Sequence, residues 1–409
     1  MAAQVIFHHR CEPTQVKIAV STGDHKGCFA VTVLRCDFLH DIIGRKCGNE
    51  AYTRRIAREQ FVREGIDVVI LNWHAHQSIT GQKPLTGRLV GQQEVIPGQV
   101  VAVAAGVYCR LPSTTAKGEH IVASVLITGT STGIGLATAL NLGRAGHRVY
   151  ATMRNPSRAP ELAERTAQEK LPIKISVMDV DSDSSVKTAI ASIHKDAGQI
   201  DVLVNNAGVE RSGSIEELPL AEFRAVMETN YFGPLRCIQA VAPQMRQRRS
   251  GCIINVTSVA GRFATSPLAP YTASKFALEA LSEALAQEMK TFNVRVAVVE
   301  PGIIETPMSR RLEEPKHASP YSQQRRFAHL FAASLKNPAP PSLVAEKILG
   351  IIESGSWQLR HPVGPDALPL LGWRNSMTDE EWVELHGADD DTWYRRMERD
   401  FGLAIRPKN

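Results

Sequence analysis

The chain has 409 residues, 43% of them hydrophobic, and its 47 basic against 42 acidic side chains give a formal net charge of +5. That surplus is too small to mark a nucleic-acid or acidic-membrane partner. No run approaches the roughly 20 apolar residues of a membrane span, and the opening "MAAQVIFHHRCEP" holds no apolar stretch of signal-peptide length, so a soluble, cytoplasmic protein with one large α/β domain and a smaller addition is expected.

In residues 1–120, "YTRRIAREQFVREG" suggests a helix and "IDVVILNW" and "GQVVAVAAGVYC" suggest strands, but no period links them. Seven of the 13 histidines and five of the seven cysteines lie here. No C-x-x-C occurs and His74 and His76 lack recognisable ligand spacing, so reduced thiols and no metal site are expected. Val122 stands directly before "ASVLITGTSTGIG", and valine is what a GTG start codon encodes when read internally. Because the pattern of a complete sheet begins there, residues 1–120 are expected to be an extension, unfolded or an over-extended reading frame. An appended domain with its own core is the alternative.

From residue 121, short apolar runs alternate with segments of helical period, as a doubly wound α/β parallel sheet requires. "VASVLIT", "HRVYATM", "IKISVMDV", "IDVLVNN", "GCIINVTS" and "VRVAVVEP" read as strands. The helices between them are "GIGLATALNLGRAG", "APELAERTAQEK", "SSVKTAIASIHKDAG", a long stretch around "LAEFRAVMETNYFGPLRCIQAVAPQM", and "YTASKFALEALSEALAQEMK". The Arg-rich "SRRLEEPKHASPYSQQRRFAHLF" suits a mobile substrate lid, followed by the helix "PSLVAEKILGIIES" and a seventh strand, "WQLRHPV". The catalytic domain is expected over 121–363. A tail over 364–409 should contribute two short helices that bury Trp382, Leu385, Trp393 and Met397.

In "TGTSTGIG", Gly129, Gly133 and Gly135 follow a strand and open a helix, where bare backbone can approach a pyrophosphate and helix-start N–H groups meet its charge. The second strand ends in "VYATMRNP", which offers Arg154 where an acidic residue would accept from a free ribose 2′-hydroxyl. A guanidinium there attracts a 2′-phosphate and Ser131 can add a hydrogen bond, so NADP(H) is preferred and NAD(H) remains open. Tyr271 and Lys275 stand four apart on a helical segment, one turn apart on one face. A nearby ammonium favours phenolate and makes a phenol usable in proton transfer.

These motifs, with "NNAG" at 205–208 and "PGIIET" at 301–306, resemble the short-chain dehydrogenase/reductase family, most closely its hydroxysteroid and retinol dehydrogenase branch. The resemblance implies a Rossmann fold of about seven strands, with Asn230, Ser258, Tyr271 and Lys275 as the catalytic set. Ser258, thirteen residues before Tyr271, would steady the substrate oxygen, and Asn230 would hold a water beside the lysine. Strand alternation sends the adjacent Thr257 to the opposite side. For the cofactor, the resemblance places Asp179 on the adenine amino group, with Val180, Asn206, Ala207 and Gly208 beside the adenosine ribose. Ile134 completes the glycine turn, and Pro301, Gly302, Ile304 and Thr306 hold the nicotinamide. Each residue alone has an ordinary structural reading; their convergence does not.

The implied activity is hydride transfer between a carbonyl and a secondary alcohol, with Tyr271 as acid/base and a small, lipophilic substrate. The lid's Arg and Gln leave a polar or acyl-carrier substrate open. A cofactor-binding sensor or scaffold is the competing function. The apolar stripe Ala280, Leu281, Ala284 and Leu285 suggests a homodimer or homotetramer.

Overall fold

The computed structural model describes residues 122–314, 318–403 and 405–406, together with the backbone of six short upstream strands. The chain divides into two compact units, Met1–His120 and Ile121–Asn409. In the first, Gln4–Ile6, Val16–Thr22 and Phe29–Arg35 form one antiparallel sheet, and Asp67–Val69, Val107–Arg110 and Val101–Val103 form another. The helix expected at 52–65 and the pair His74 and His76 lie outside the described residues.

The second unit is a seven-stranded parallel sheet: β1 (Ser124–Thr128), β2 (Arg148–Met153), β3 (Ile173–Val177), β4 (Val202–Asn205), β5 (Gly251–Val256), β6 (Val294–Pro301) and β7 (Arg360–Val363). Their spatial order is β7-β6-β5-β4-β1-β2-β3. Every residue of β1 and β4 is buried, as expected for strands covered on both faces. Alternation sorts the side chains: Val125 and Ile127 pack with Leu140 and Ile348 on one face, while Leu126 packs with Ile190 and Val241 on the other. Truncating one such leucine to alanine costs about 2–5 kcal/mol.

The first face is covered by α1 (Gly133–Arg144), α2 (Glu161–Glu169) and a C-terminal helix; on the second, α3 (Asp183–Ala197) lies against the sheet, α4 (Leu220–Met227) packs on a neighbouring helix, and α5 (Gly233–Arg248) and α6 (Ala269–Lys290) complete the cover. A π-helical turn, Glu228–Phe232, interrupts what the sequence presents as one long helical stretch, and it carries Asn230. Strand order reverses between β4 and β1, so their carboxyl ends open a crevice at the switch point.

The segment expected to be a mobile lid contains α7 (Pro307–Arg310) and α8 (Ser322–Ser334). Two of its polar residues are tied to neighbouring elements. Arg326 is 3% exposed and donates to Asp390 at 2.6 Å and to the Ala388 carbonyl at 2.7 Å, while Gln324 donates to Ser214 and Glu217. After α9 (Ser342–Ser354), the tail forms three helices rather than two: α10 (Ala367–Asn375), α11 (Asp379–Gly387) and α12 (Asp390–Phe401). Trp382, Leu385, Trp393 and Met397 are all buried. The unexpected α10 is rich in Pro, Gly and Leu, with only a weak helical period.

Candidate active site

At the end of β1, Gly129 turns the chain at φ +70, and a Cβ there would stand 2.7 Å from the Ala207 backbone. A Cβ on Gly135 would meet the Gly129 carbonyl oxygen at 2.2 Å, so the turn closes only with glycine at both places. Asn206 braces it from the end of β4, its amide donating to the Thr128 and Gly129 carbonyls at 2.9 and 3.0 Å. The sequence reading set Asn206 beside the ribose and did not anticipate this bracing.

The start of α1 is bare. Its N-cap, Thr132, makes no side-chain cap and the first turn carries no acidic residue, whereas Ser182, Thr378 and Asp389 cap α3, α11 and α12. Unpaired N–H groups and the positive dipole end therefore face a cavity of about 390 Å³. Of the catalytic and cofactor residues expected from the sequence, all but Asn230 line this cavity.

Arg154 is exposed at the end of β2, close enough to Asp181 to favour its charged form, although burial pushes that carboxyl's pKa up overall. One Asp181 oxygen accepts from Thr229 at 3.0 Å; the other is buried without a partner. Asp179 accepts the Asp181 N–H at 3.2 Å. Thr306 packs against Gly133 and uses its hydroxyl with Ser309 to cap α7, and Ile304 bridges to Ala339.

At the other end of the cavity, Lys275 is 4% exposed and donates to the Val256 carbonyl at 2.9 Å, with its ammonium 5.6 Å from the centre of the Tyr271 ring. Burial pushes Lys275 down to about 8, against the pull of Glu279. Tyr271 is pushed up to about 12, chiefly by burial; a hydrogen bond to Ser258 opposes this and the charge of Glu210 adds to it. The sequence reading expected the ammonium to draw the phenol's pKa toward neutrality. Burial dominates the Tyr271 shift and favours the protonated phenol.

Ser258 stands at the β5 end, accepting the Ala260 N–H at 3.1 Å and donating to the Pro301 carbonyl at 3.3 Å. Thr257 points away, its hydroxyl donating to Glu279 at 2.6 Å. Asn230 is fully buried outside the cavity. Its amide is committed to the Val209 backbone and to Ser274, leaving only its main chain to hold a water. Gly208 separates it from Lys275: a Cβ there would stand 3.4 Å from the Asn230 oxygen and 3.8 Å from Nζ.

Sequence reasoning missed several contributors. Asp366 accepts the Ile303 N–H at 2.8 Å and presses on Gly302, bracing the loop after β6. Glu210 is buried beside Tyr271. The outer wall is built from Phe327, Leu330, Phe331, Trp373, Trp393 and Met397, which lie on α8, α10 and α12. Helical spacing marks Trp393 and Met397 as buried tail residues, but nothing local shows that they reach this cavity.

A family model described as short chain dehydrogenase matches residues 123–317. The chain is 34% identical over 269 residues to the oxidoreductase BOA17 of Botryotinia fuckeliana, spanning 63% of this chain and 96% of that one. The chain belongs to the short-chain dehydrogenase family. Retinol dehydrogenase 8 of Bos taurus is 36% identical over 263 residues, covering 61% of this chain and 83% of the other, which relates this dehydrogenase to the retinol dehydrogenase branch. A gluconate 5-dehydrogenase from Burkholderia cenocepacia, solved with NADP and tartrate, superposes with a TM-score of 0.51 at 27% identity over 60% of this chain and 95% of that one. This dehydrogenase is therefore an oxidoreductase that binds a nicotinamide dinucleotide and interconverts a carbonyl and an alcohol.

Proposed function

We propose that this chain is an NADP(H)-dependent dehydrogenase/reductase of lipophilic carbonyls and secondary alcohols, with Tyr271 as the acid/base. One observation carries the reading: the uncapped start of α1 and the Ser258, Tyr271 and Lys275 side chains border the same cavity. The donor set fits a dinucleotide. Gly129, Ser131, Gly133, Ile134 and Gly135 would cradle the pyrophosphate, and Arg154 would take a 2′-phosphate. Asp179, Val180, Asn206, Ala207 and Gly208 would border the adenosine, and Pro301, Gly302, Ile304 and Thr306 the nicotinamide.

When bound, the nicotinamide supplies hydride to the carbonyl carbon or accepts it from the alcohol carbon. The Tyr271 hydroxyl gives its proton to the carbonyl oxygen in reduction and takes it back in oxidation. Ser258 donates a hydrogen bond to that oxygen and fixes its distance from the phenol. The Lys275 ammonium favours the phenolate left after proton donation. Asn230 would offer its main-chain carbonyl to a water that returns a proton.

The lipophilic substrate is supported by the apolar outer wall, since the lid's Arg326 and Gln324 are already bonded to protein groups. Tail residues Trp373, Trp393 and Met397 complete that wall, so we treat 364–409 as part of the working enzyme. We place it in the cytoplasm as a homodimer or homotetramer. Within the expected apolar stripe, Leu281 and Leu285 pack inward, while Ala280 and Ala284 are exposed on the same face as Phe276 and form the assembly surface. Screening NADPH oxidation against a panel of hydrophobic ketones tests the reading. Tyr271→Phe should abolish turnover and keep NADPH affinity within about threefold; a Phe variant that still turns over discards Tyr271 as the acid.

A further inference from the structure

Behind the wall that carries Ser258, Tyr271 and Lys275 lies a second group of polar side chains, reaching from buried Thr257, Glu279 and Glu300 out to the surface. At its centre is Glu279, one helical turn beyond Lys275 on α6 and 4% exposed. One of its oxygens accepts the Thr257 hydroxyl at 2.6 Å and the other accepts Arg360 Nε at 3.0 Å. Thr257 directly precedes Ser258, and Arg360 opens β7. Arg360 also donates to Glu283 at 2.5 Å and lies 3.9 Å from Glu300, which accepts Arg262 at 3.0 Å. Glu300 directly precedes Pro301, where the nicotinamide loop begins. The turn Val259–Gly261 presses on the same spot: a Cβ on Gly261 would stand 3.0 Å from Glu279 Cγ and 3.1 Å from the Lys275 carbonyl.

A buried charge is costly to keep, and a well-packed apolar side chain serves stability as well or better. Here the carboxylate ties the two segments that carry the reacting groups, the β5 end and α6, to each other and to β7. We propose that Glu279 is a positioning residue: its carboxylate clamps the β5 end to α6 and so holds Ser258 in register with Tyr271 and Lys275. The proposal rests on the reading that those three residues carry the proton transfer.

The clamp also acts on charge. Lys275 faces Tyr271 and Glu279 on its own helix, and Glu279 opposes the burial that lowers its pKa. From the other elements, Glu210 acts on Tyr271, Arg360 and Glu300 act on Glu279, and Arg262 pairs with Glu300.

Two readouts separate positioning from mere structural support. Lysine Cε NMR of the ligand-free protein, with Lys275 assigned by comparison with Lys275→Met, follows its titration without any turnover. In Glu279→Gln the midpoint should fall by about one pH unit, since the opposing charge is lost. In NADPH-dependent reduction of a hydrophobic ketone, kcat at pH 8 should drop about tenfold or more while the NADPH Kd stays within about threefold. Glu283→Gln removes the exposed carboxylate on the same arginine and should change neither. If Glu279→Gln does not fold, Thr257→Val breaks the clamp while keeping the charge: kcat should fall with the Lys275 midpoint unmoved. A folded Glu279→Gln with both the midpoint and kcat of the wild type overturns the proposal, as does a folded Thr257→Val with full kcat. An inactive wild type would instead discard the dehydrogenase reading, and the NMR titration would still report on the clamp.

Discussion

Replacing Gly135 with alanine tests the cofactor cradle without touching any reacting group. A Cβ built there stands 2.2 Å from the Gly129 carbonyl oxygen, 2.5 Å from the Asn206 amide nitrogen and 2.9 Å from the Gly129 carbonyl carbon. Ordinary contact needs about 3.2 Å or more, so the turn and the start of α1 must separate by about 1 Å. The movement also breaks the Asn206 brace, because its amide is bonded to the displaced carbonyl. Misplacing a preorganised site by about 1 Å costs about 100-fold, or about 2.7 kcal/mol in binding. Gly350 is the matched control: it lies within α9 with nothing within 4 Å of its Cβ position. Gly350→Ala should stabilise the protein by about 0.8–1 kcal/mol through helix propensity alone. NADPH fluorescence titration and thermal unfolding of both variants provide the comparison. A Gly135→Ala protein that binds NADPH within about threefold of wild type would refute the close-packed turn.

Arg154→Ala should weaken NADPH binding about 10- to 100-fold, the worth of a charge-assisted contact, and leave NADH binding nearly unchanged; equal losses for both cofactors would remove Arg154 from the 2′-phosphate. Lys275 has its folded pKa depressed to about 8 by burial, below the unfolded value of about 10.4. The folded state therefore carries its full penalty at pH 7, and stability rises with pH between those two values as the unfolded chain alone stays protonated. Lys275→Met should stabilise the ligand-free protein at pH 7 by about 2–3 kcal/mol while abolishing turnover, and the advantage should shrink toward pH 10; chemical denaturation at pH 7 and 9.5 measures it, and equal stabilities at pH 7 would contradict the burial. Arg326→Ala leaves the Ala388 carbonyl without its donor and Asp390 with Arg325 alone, so it should lower stability by about 1–3 kcal/mol and raise the KM for a hydrophobic ketone; unchanged urea unfolding would show that α8 is not pinned there.

The sheet and both ends of its crevice are legible in the chain because they depend on short-range chemistry. A strand buried on both faces must be a continuous apolar run, as in Val125 to Ile127, and a phosphate turn must be glycine where a Cβ would strike backbone, as at Gly129 and Gly135. Tyr271 and Lys275 share a helical face by arithmetic alone. What stays hidden depends on partners far away in sequence. Arg326 in the lid reads as solvated or substrate-facing until α12 delivers Asp390, 64 residues later. The tail's third helix forms because Ala367 and Trp373 pack against Phe263 and Trp382, not because its own sequence favours a helix.

The same asymmetry applies to Tyr271. From sequence, the only known neighbour of the phenol is the lysine four residues on, and a charge considered alone must pull its pKa down. The fold adds burial beneath the lid and tail, which acts on both groups in opposite directions: it raises the tyrosine to about 12 and lowers the lysine to about 8. Each shift favours the neutral form, yet a lysine held at about 8 still carries its charge at pH 7, so the pair is a phenol beside an ammonium. The charge that favours phenolate after proton donation therefore already stands beside Tyr271, 5.6 Å from its ring centre, and what matters for transfer is how firmly the two groups are held in place.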